Sequence, residues 1–290
     1  MNKGLTISLV FEANSANFGE SFGNIAGLKK LTRAGGNSYT YISRQAIRYN
    51  IIEQMGCNNT PVEASGSGSK KVIQFKPDAT IADYPEIDLF GYMKTTKGEN
   101  ASTRSAVVRL SHAVSLEAFA SDLDFQTNMG LSRRIDADNS IAQSEIHKSF
   151  YAYTLTIDLD RVGVDGDIEI SITEKISRVQ SLLKTVQFLY RDIRGRRENL
   201  APVFAIGGIY DRKNPFFENR IKLKGMRLNT DILKDVLNAD EDIKNNTVVG
   251  YIEGVFANDE EIFKSLKPIT IGAMFEDLCR KVEAVYNESH

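Results

Sequence analysis

Three observations predict an α+β fold. Two stretches alternate apolar with smaller or polar residues at the period of a half-buried strand: Leu5, Ile7, Leu9 and Phe11, then Tyr151, Tyr153, Leu155, Ile157 and Leu159. Two others repeat apolar residues at helical spacing, Ala46, Ile47, Ile51 and Met55 in one, Ile172 to Ile193 in the other. At 290 residues, 42% apolar and 26% charged, the chain can bury a real core, which excludes disordered, collagen-like and low-complexity classes.

The elements follow in order. Residues 5–12 form the first strand, and a polar, glycine-spaced loop runs from Ala13 to Tyr41 carrying Lys29, Lys30 and Arg33. Ser43 suits an N-cap for a helix over Arg44 to Met55, and Gly56 stops it. From residue 57 to 145 the apolar runs are too short for a separate core, so the stretch reads as one long insertion. Within it, Ala64 to Ser69 is a flexible Ser-Gly turn or linker, and strand-like pieces fall at Lys71 to Phe75, Leu89 to Met93 and Ala106 to Leu110.

Regularity returns with the Tyr151 strand, which ends in the turn Gly163 to Asp167. A long helix is expected from Ser171 to Ile193, running into Arg191, Arg194, Arg196 and Arg197, more cations than capping needs. Leu200 to Tyr210 reads as a strand whose Gly207 and Gly208 allow a bulge or a close backbone approach. A strand at Val248 to Phe256 and helices near Asp231 to Leu237 and Met274 to Tyr286 are expected to decorate this core. Strand, helix, excursion, strand, helix, strand is the order of the ferredoxin-like split motif, which RNA-recognition domains share.

The net charge of -2 conceals a block at residues 175–227 that carries +9, flanked by two blocks of -7. That distribution suggests an anion-binding surface, with a solvated helix face as the bland alternative. Chemistry for bond breaking is sparse. His112, His147 and His290 are remote from one another in sequence and from Cys57 and Cys279, so no zinc set forms. Asp158, Asp160, Asp165 and Asp167 are the one acidic cluster, and their spacing fits no calcium loop. No phosphate-cradling glycine motif and no nucleophile elbow occurs. The two distant cysteines, the lack of a secretory leader and the lack of a membrane span lead us to expect a cytoplasmic protein.

Three stretches carry a family resemblance: LTISLVFEANSANFGESFGNIAGLKKLTR from Leu5 to Arg33, YTYISRQAIRY from Tyr39 to Tyr49, and Tyr151 to Gly208, with YAYTLTIDLDRVG and RGRRENLAPVFAIGG. LFGYM at Leu89 and RSAVVRLSHAVSLEAF at Arg104 lie between them. In this order and spacing they resemble the backbone subunit of type I CRISPR-associated Cascade complexes, of the RAMP superfamily and the DevR-like type I-B subfamily.

The resemblance implies a modified ferredoxin-like or RRM fold, with residues 1–56 and 146–290 as a palm, 57–145 as inserted fingers and about 194–204 as a thumb. It implies that Lys29, Lys30, Arg33, Ser43, Arg44, Gln45 and Arg48 grip a CRISPR guide RNA (crRNA). Arg194, Arg196, Arg197 and Asn199 would meet RNA from the thumb, with Leu200 as an apolar wedge. Further implied partners are the target DNA strand paired to the guide, neighbouring copies placed head-to-tail, and the cap and large subunits of the complex. No catalytic residue, metal or cofactor is implied. A protein that accepts any guide should hold phosphate and 2′-hydroxyl groups and leave base edges free, so Tyr151 and Tyr153 are expected in the core and not as stacking platforms. The rival readings are a metal-dependent endoribonuclease of the same superfamily, using Glu12 or Glu20, and a DevR-type regulator of transcription or development.

Overall fold

Strand β1, Gly4–Ala13, is the centre of the molecule because both of its edges are taken. The computed structural model describes residues 3–14, 17–33, 35–65, 71–95 and 101–288. Further elements used below are β2 (Lys30–Thr32), β3 (Ser38–Ile42), α1 (Arg44–Met55), α2 (Pro85–Phe90), β4 (Val108–Leu110) and β5 (Ala113–Ser115). The second half supplies β6 (Ser149–Asp158), α3 (Ile172–Gln187), β7 (Phe204–Tyr210), α4 (Thr230–Leu237), α5 (Glu241–Asn246), β8 (Thr247–Tyr251), α6 (Asp259–Leu266) and α7 (Ile271–Glu288). β1 pairs antiparallel with β6, Gly4 opposite Asp158 through Ala13 opposite Ser149, and on its other edge with β7. Among the described residues the sheet runs β8-β7-β1-β6-β5-β3-β2, with β4 also on β6.

The period-2 alternation decides what each face does. Leu5, Ile7, Leu9 and Phe11 of β1 join Tyr151, Tyr153, Leu155 and Ile157 of β6 under α1, α3 and α7, and all are buried. Each such aliphatic or aromatic side chain contributes about 1.5–3 kcal/mol by leaving water. The opposite face is divided. Val10, Phe204, Ile206 and Val249 meet Leu233, Ile243 and Ile262 of α4, α5 and α6 in a second core, while Ser8, Thr154 and Thr156 lie beside that cover in a cleft. A Cβ on Gly207 would stand 2.0 Å from the Thr6 carbonyl oxygen, and one on Gly208 2.1 Å from that of Asn246, so the close approach expected at this pair is present at both.

The excursion after α1 has a small core of its own, Ala79, Ile81 and Ile87. A fully buried charge cluster fastens it. Asp88 of α2 accepts from Arg104 Nη2 at 2.7 Å, from Arg178 Nη1 at 2.9 Å and from the Gly163 N–H at 2.9 Å. Arg104 spends further donors on the carbonyls of Asp88, Arg161 and Val164, and Arg178 on those of Ile81 and Ala82 and, through Nε, on Glu174 at 2.8 Å. The chain then returns to the sheet: β4 and β5, both inside the stretch read as one insertion, pair with β6. It leaves again as a hairpin of Asp122–Thr127 and Ile141–Ile146, with a short helical turn, Met129–Ser132, at its tip. At the base of that hairpin Glu145 accepts the Leu28 N–H at 2.7 Å and pairs with Lys30 at 2.5 Å.

Four expectations change. The polar loop from Ala13 to Tyr41 contains two local strand pairs, Phe18–Phe22 with Ile25–Leu28 and β2 with β3, each tied to a distant strand, Ile25–Leu28 to Ile141–Ile146 and β3 to β5. The helix expected to Ile193 ends at Gln187, and Tyr190–Ile193 and Arg196–Asn199 form a hairpin about Arg194 and Gly195, both at positive φ. Leu89 and Phe90 belong to α2, with a proline at its start, and Gly91 turns the chain where a Cβ would stand 2.4 Å from the Arg104 carbonyl oxygen. The C-terminal helix is core, not decoration: Met274, Phe275, Leu278 and Val282 are buried under the sheet. Gly66 to Ser69 of the Ser-Gly run lie outside the described residues.

Two expected outcomes follow. Asp88→Ala leaves two buried guanidinium groups facing each other and should cost about 3–5 kcal/mol, read as a lowered urea midpoint, whereas Asp192→Ala at an exposed pair should hardly move it. His147 Nδ1 lies 2.7 Å from Thr40 Oγ1, which lies 2.8 Å from the Tyr151 hydroxyl. Burial holds His147 below the ordinary histidine value against the opposing pull of Glu117, a backbone hydrogen bond at Ala118 and Asp122. The unfolded chain therefore binds the proton more readily, so this contribution is full above the ordinary value and is lost as pH falls toward the folded one. The wild type should lose stability as pH falls below about 6.5, the ordinary histidine value, and His147→Gln should flatten that slope.

Candidate nucleic-acid interface

Helix α1 begins at the rim of a cleft, and its first donors are satisfied by neutral groups. Ser43 Oγ accepts the Ala46 N–H at 3.3 Å, and the Ser43 N–H donates to Asn17 Oδ1 at 2.6 Å. The Arg44 N–H donates to Nδ1 of His112 at 3.0 Å, which places the proton of the neutral ring on Nε2. The first turn of α1 carries no acidic residue. Burial, then the cations Arg44 and Lys29, hold His112 below the ordinary histidine value.

The cleft has a volume of about 550 Å³. Ser8 of β1 and Ala152, Thr154 and Thr156 of β6 line its floor, residues 109–112 form one wall, and residues from Lys213 to Lys222 the other. Arg33, Arg44, Arg109, Lys213 and Lys222 line it too, against a single carboxylate, Glu218, among the described lining residues. Arg109 is paired with Asp158 at 2.9 Å, and Lys213 is paired with Asp160. Among the described residues no carboxylate lies within ion-pair reach of Arg33, Arg44 or Lys222. Burial, then Arg33 and Arg220, hold the Lys222 ammonium below the ordinary lysine value. Crowded cations of this kind are stabilised by a polyanion.

A second depression of about 310 Å³ is lined by Arg44, Gln45, Arg48, Phe90, Val108, Arg109 and Leu110. It shares Arg44, Arg109 and Leu110 with the cleft, so the two form one continuous cationic track around the start of α1.

The residues singled out from sequence divide on this geometry. Arg33, Arg44, Gln45 and Arg48 line the track. Ser43 caps α1, Lys29 lies close enough to influence His112, and Lys30 is engaged by Glu145 and by the Phe119 ring at 4.4 Å. The arginines after α3 line neither depression. Arg194 sits over Phe18 at 3.9 Å, Arg196 pairs with Glu198 at 3.1 Å, and Arg197 pairs with Asp192 at 2.9 Å. Asn199 Oδ1 accepts the Ala201 N–H at 2.9 Å. Leu200 is 1% exposed and belongs to the main core, so it offers no surface for wedging between bases; the wedge expectation is corrected. Sequence reasoning missed Arg109, His112 and the hydroxyl floor. Arg109 sits in the strand-like piece read at Ala106 to Leu110, and its sole signal there is a cation set between Val108 and Leu110.

Tyr151 and Tyr153 are in the core, as expected. The acidic cluster is occupied by ion pairs: Asp158 with Arg109 and Arg161, Asp160 with Lys213, Asp165 with Arg104. Glu12 pairs with Lys148 at 3.0 Å, and the Glu20 side chain lies outside what the structure describes.

An antiparallel sheet in the split strand-helix order, with α1, α3 and α7 on one face and a cationic cleft beside α4, α5 and α6 on the other, defines a modified RNA-recognition-type α+β fold. The chain belongs to the CRISPR-associated DevR/Csa2 family: the family model described as "CRISPR-associated negative auto-regulator DevR/Csa2" matches residues 5–224. Its fold is similar to a chain of a "CRISPR RNA-guided surveillance complex, pre-nicking", with a TM-score of 0.60 and 11% identity over 95% of this chain and 100% of that one. A chain of a second "CRISPR RNA-guided surveillance complex" gives a TM-score of 0.55 and 13% identity over 94% and 99%. No curated protein matches the chain.

Single-stranded RNA should bind with an affinity that falls steeply with salt. Arg44→Ala and Lys222→Ala should each weaken binding of two unrelated RNA sequences alike and reduce the log-log salt slope by about 0.7, while Arg197→Ala leaves it unchanged; salt-titrated fluorescence anisotropy reads all three.

Proposed function

We propose that this chain is a non-catalytic, guide-RNA-binding backbone subunit of a CRISPR surveillance complex of the type I-B Cascade kind, which presents its guide for pairing with target DNA. The continuous cationic track around the start of α1 carries this reading, because its donors suit phosphate whatever the base sequence. The family and the similar surveillance-complex chains support it. The endoribonuclease alternative has less support, since Asp158 and Asp160 beside the cleft, and Glu12, are held in ion pairs.

A backbone subunit needs an element that reaches a neighbouring copy. We assign that role to the hairpin of Asp122–Thr127 and Ile141–Ile146 in place of the segment at about 194–204, which folds back onto the end of β1 through Glu198 and the Asn14 N–H at 2.8 Å. Every residue of Asp122–Thr127 is exposed, and Leu123, Phe125, Leu131 and Ile135 show large apolar surfaces that an isolated subunit leaves in water. The strand pairs Val62–Ser65 with Val72–Phe75 and Tyr92–Lys94 with Ser102–Arg104 would be the fingers. The contact between copies is head-to-tail and so can repeat without closing.

The purified protein should carry RNA in a large assembly, seen as a raised ratio of absorbance at 260 to 280 nm together with the light-scattering mass, and lose it to nuclease and high salt. Leu131→Asp with Ile135→Asp should leave RNA binding intact and abolish the high-mass species. A nucleic-acid-free monomer that takes up no added single-stranded RNA, or one that binds specific duplex DNA instead, would overturn the proposal.

A further inference from the structure

The floor of the cleft differs from its rim in chemistry. The rim is cationic, whereas Ser8, Ser111, Thr154 and Thr156 bring four neutral hydroxyls to the lining. Ser8 and Thr154 are cross-strand partners in the β1–β6 ladder, and their hydroxyl oxygens lie 2.7 Å apart. A hydrogen bond within that pair consumes one of its two protons. One O–H donor and several lone pairs remain for a third group. Ser111 Oγ accepts the Thr154 N–H at 2.9 Å and donates to the His112 carbonyl at 3.2 Å, and the partly exposed Thr156 lies two residues further along the same strand face. A hydroxyl that both donates and accepts is the group this pair completes best.

We propose that these hydroxyls read the ribose 2′-hydroxyl and so make the subunit select RNA over DNA of the same sequence. The inference rests on the guide-binding reading above. In that reading phosphates lie on the cations of the rim, and the sugar is the part of each nucleotide covalently next to the phosphate. A base turned to the floor would be withdrawn from pairing, so the sugar is the group the floor meets. The 2′-hydroxyl distinguishes the two polymers at any position, whatever the base.

The test compares three probes on the full-length protein stripped of nucleic acid: a single-stranded RNA, the DNA of the same sequence, and the 2′-O-methyl RNA, which keeps an acceptor and loses the donor. The wild type should prefer RNA to DNA by about tenfold, the size of one or two net hydrogen bonds. Thr154→Val with Ser8→Ala should lower RNA affinity by about that factor and leave DNA affinity unchanged, so that the ratio falls toward one. Thr154→Ser should restore it. Should the double variant fail to fold, Thr156→Val, at the partly exposed position, should lower the ratio in part. RNA and DNA affinities that fall in parallel, or an RNA preference that survives both variants, would overturn the assignment while leaving guide binding in place. A wild type that binds neither polymer would overturn guide binding itself, and this assignment with it.

Discussion

Asp88 fixes the layout on which the cleft depends. Its carboxylate is the meeting point of two arginines from different parts of the chain, one on the returning strand of the excursion and one on α3. The excursion buries too few apolar side chains to locate itself, so direction comes from the charges and their saturated carbonyl partners. Arg104 then leads into β4 within a few residues, and β4 delivers Arg109 and the bend that carries His112. A contact on the helix side of the sheet thereby determines where a cation stands on the other side.

The division of the sheet face has a similar origin. The C-terminal helices cover the part of the face where β1, β7 and β8 present Val10, Phe204, Ile206 and Val249. Beyond them β1 and β6 present serine and threonine, which gain little from being covered. The boundary between second core and cleft is therefore written in which side chains the outward positions of β1 carry. The +9 block has the opposite lesson: most of its cations are paired within the chain, with Glu169, Asp88, Glu198, Asp192, Asp240, Asp160 and Glu261, and Lys222 and the Asp160-paired Lys213 are what it contributes to the cleft. The interface is assembled from Arg33, Arg44, Arg109 and Lys222, which are scattered over nearly 190 residues.

That scattering explains what could be read from sequence. Local patterns were legible: β1, α1 with its Ser43 cap and Gly56 stop, β6, α4 and the paired glycines all follow from residues near one another. Arg33, Arg44, Gln45 and Arg48 were reachable through the family resemblance. Non-local features were not legible. A strand such as Ile25–Leu28 is too short to show a period, and its pairing with Ile141–Ile146 is set by tertiary contact. The Arg194 hairpin imitated a continuing helix because Leu189, Tyr190 and Ile193 fall at helical spacing, and the two positive-φ residues at its turn carry no periodic signal. Leu200 looked available as a wedge because a leucine after an arginine run gives no hint of which side of the chain faces the core.

The start of α1 has a consequence in time as well as in space. Its Ser43, Arg44 and Ala46 N–H groups already donate to Asn17, His112 and Ser43, and its first turn has no carboxylate. The partial positive charge of the helix end thus acts over distance on an approaching chain, while those three donors are not free to dock any one phosphate. Such a field speeds encounter more than it prolongs residence. How long a strand stays is left to the side chains along the track, so capture and retention are governed by different atoms of the same helix and can be tuned apart.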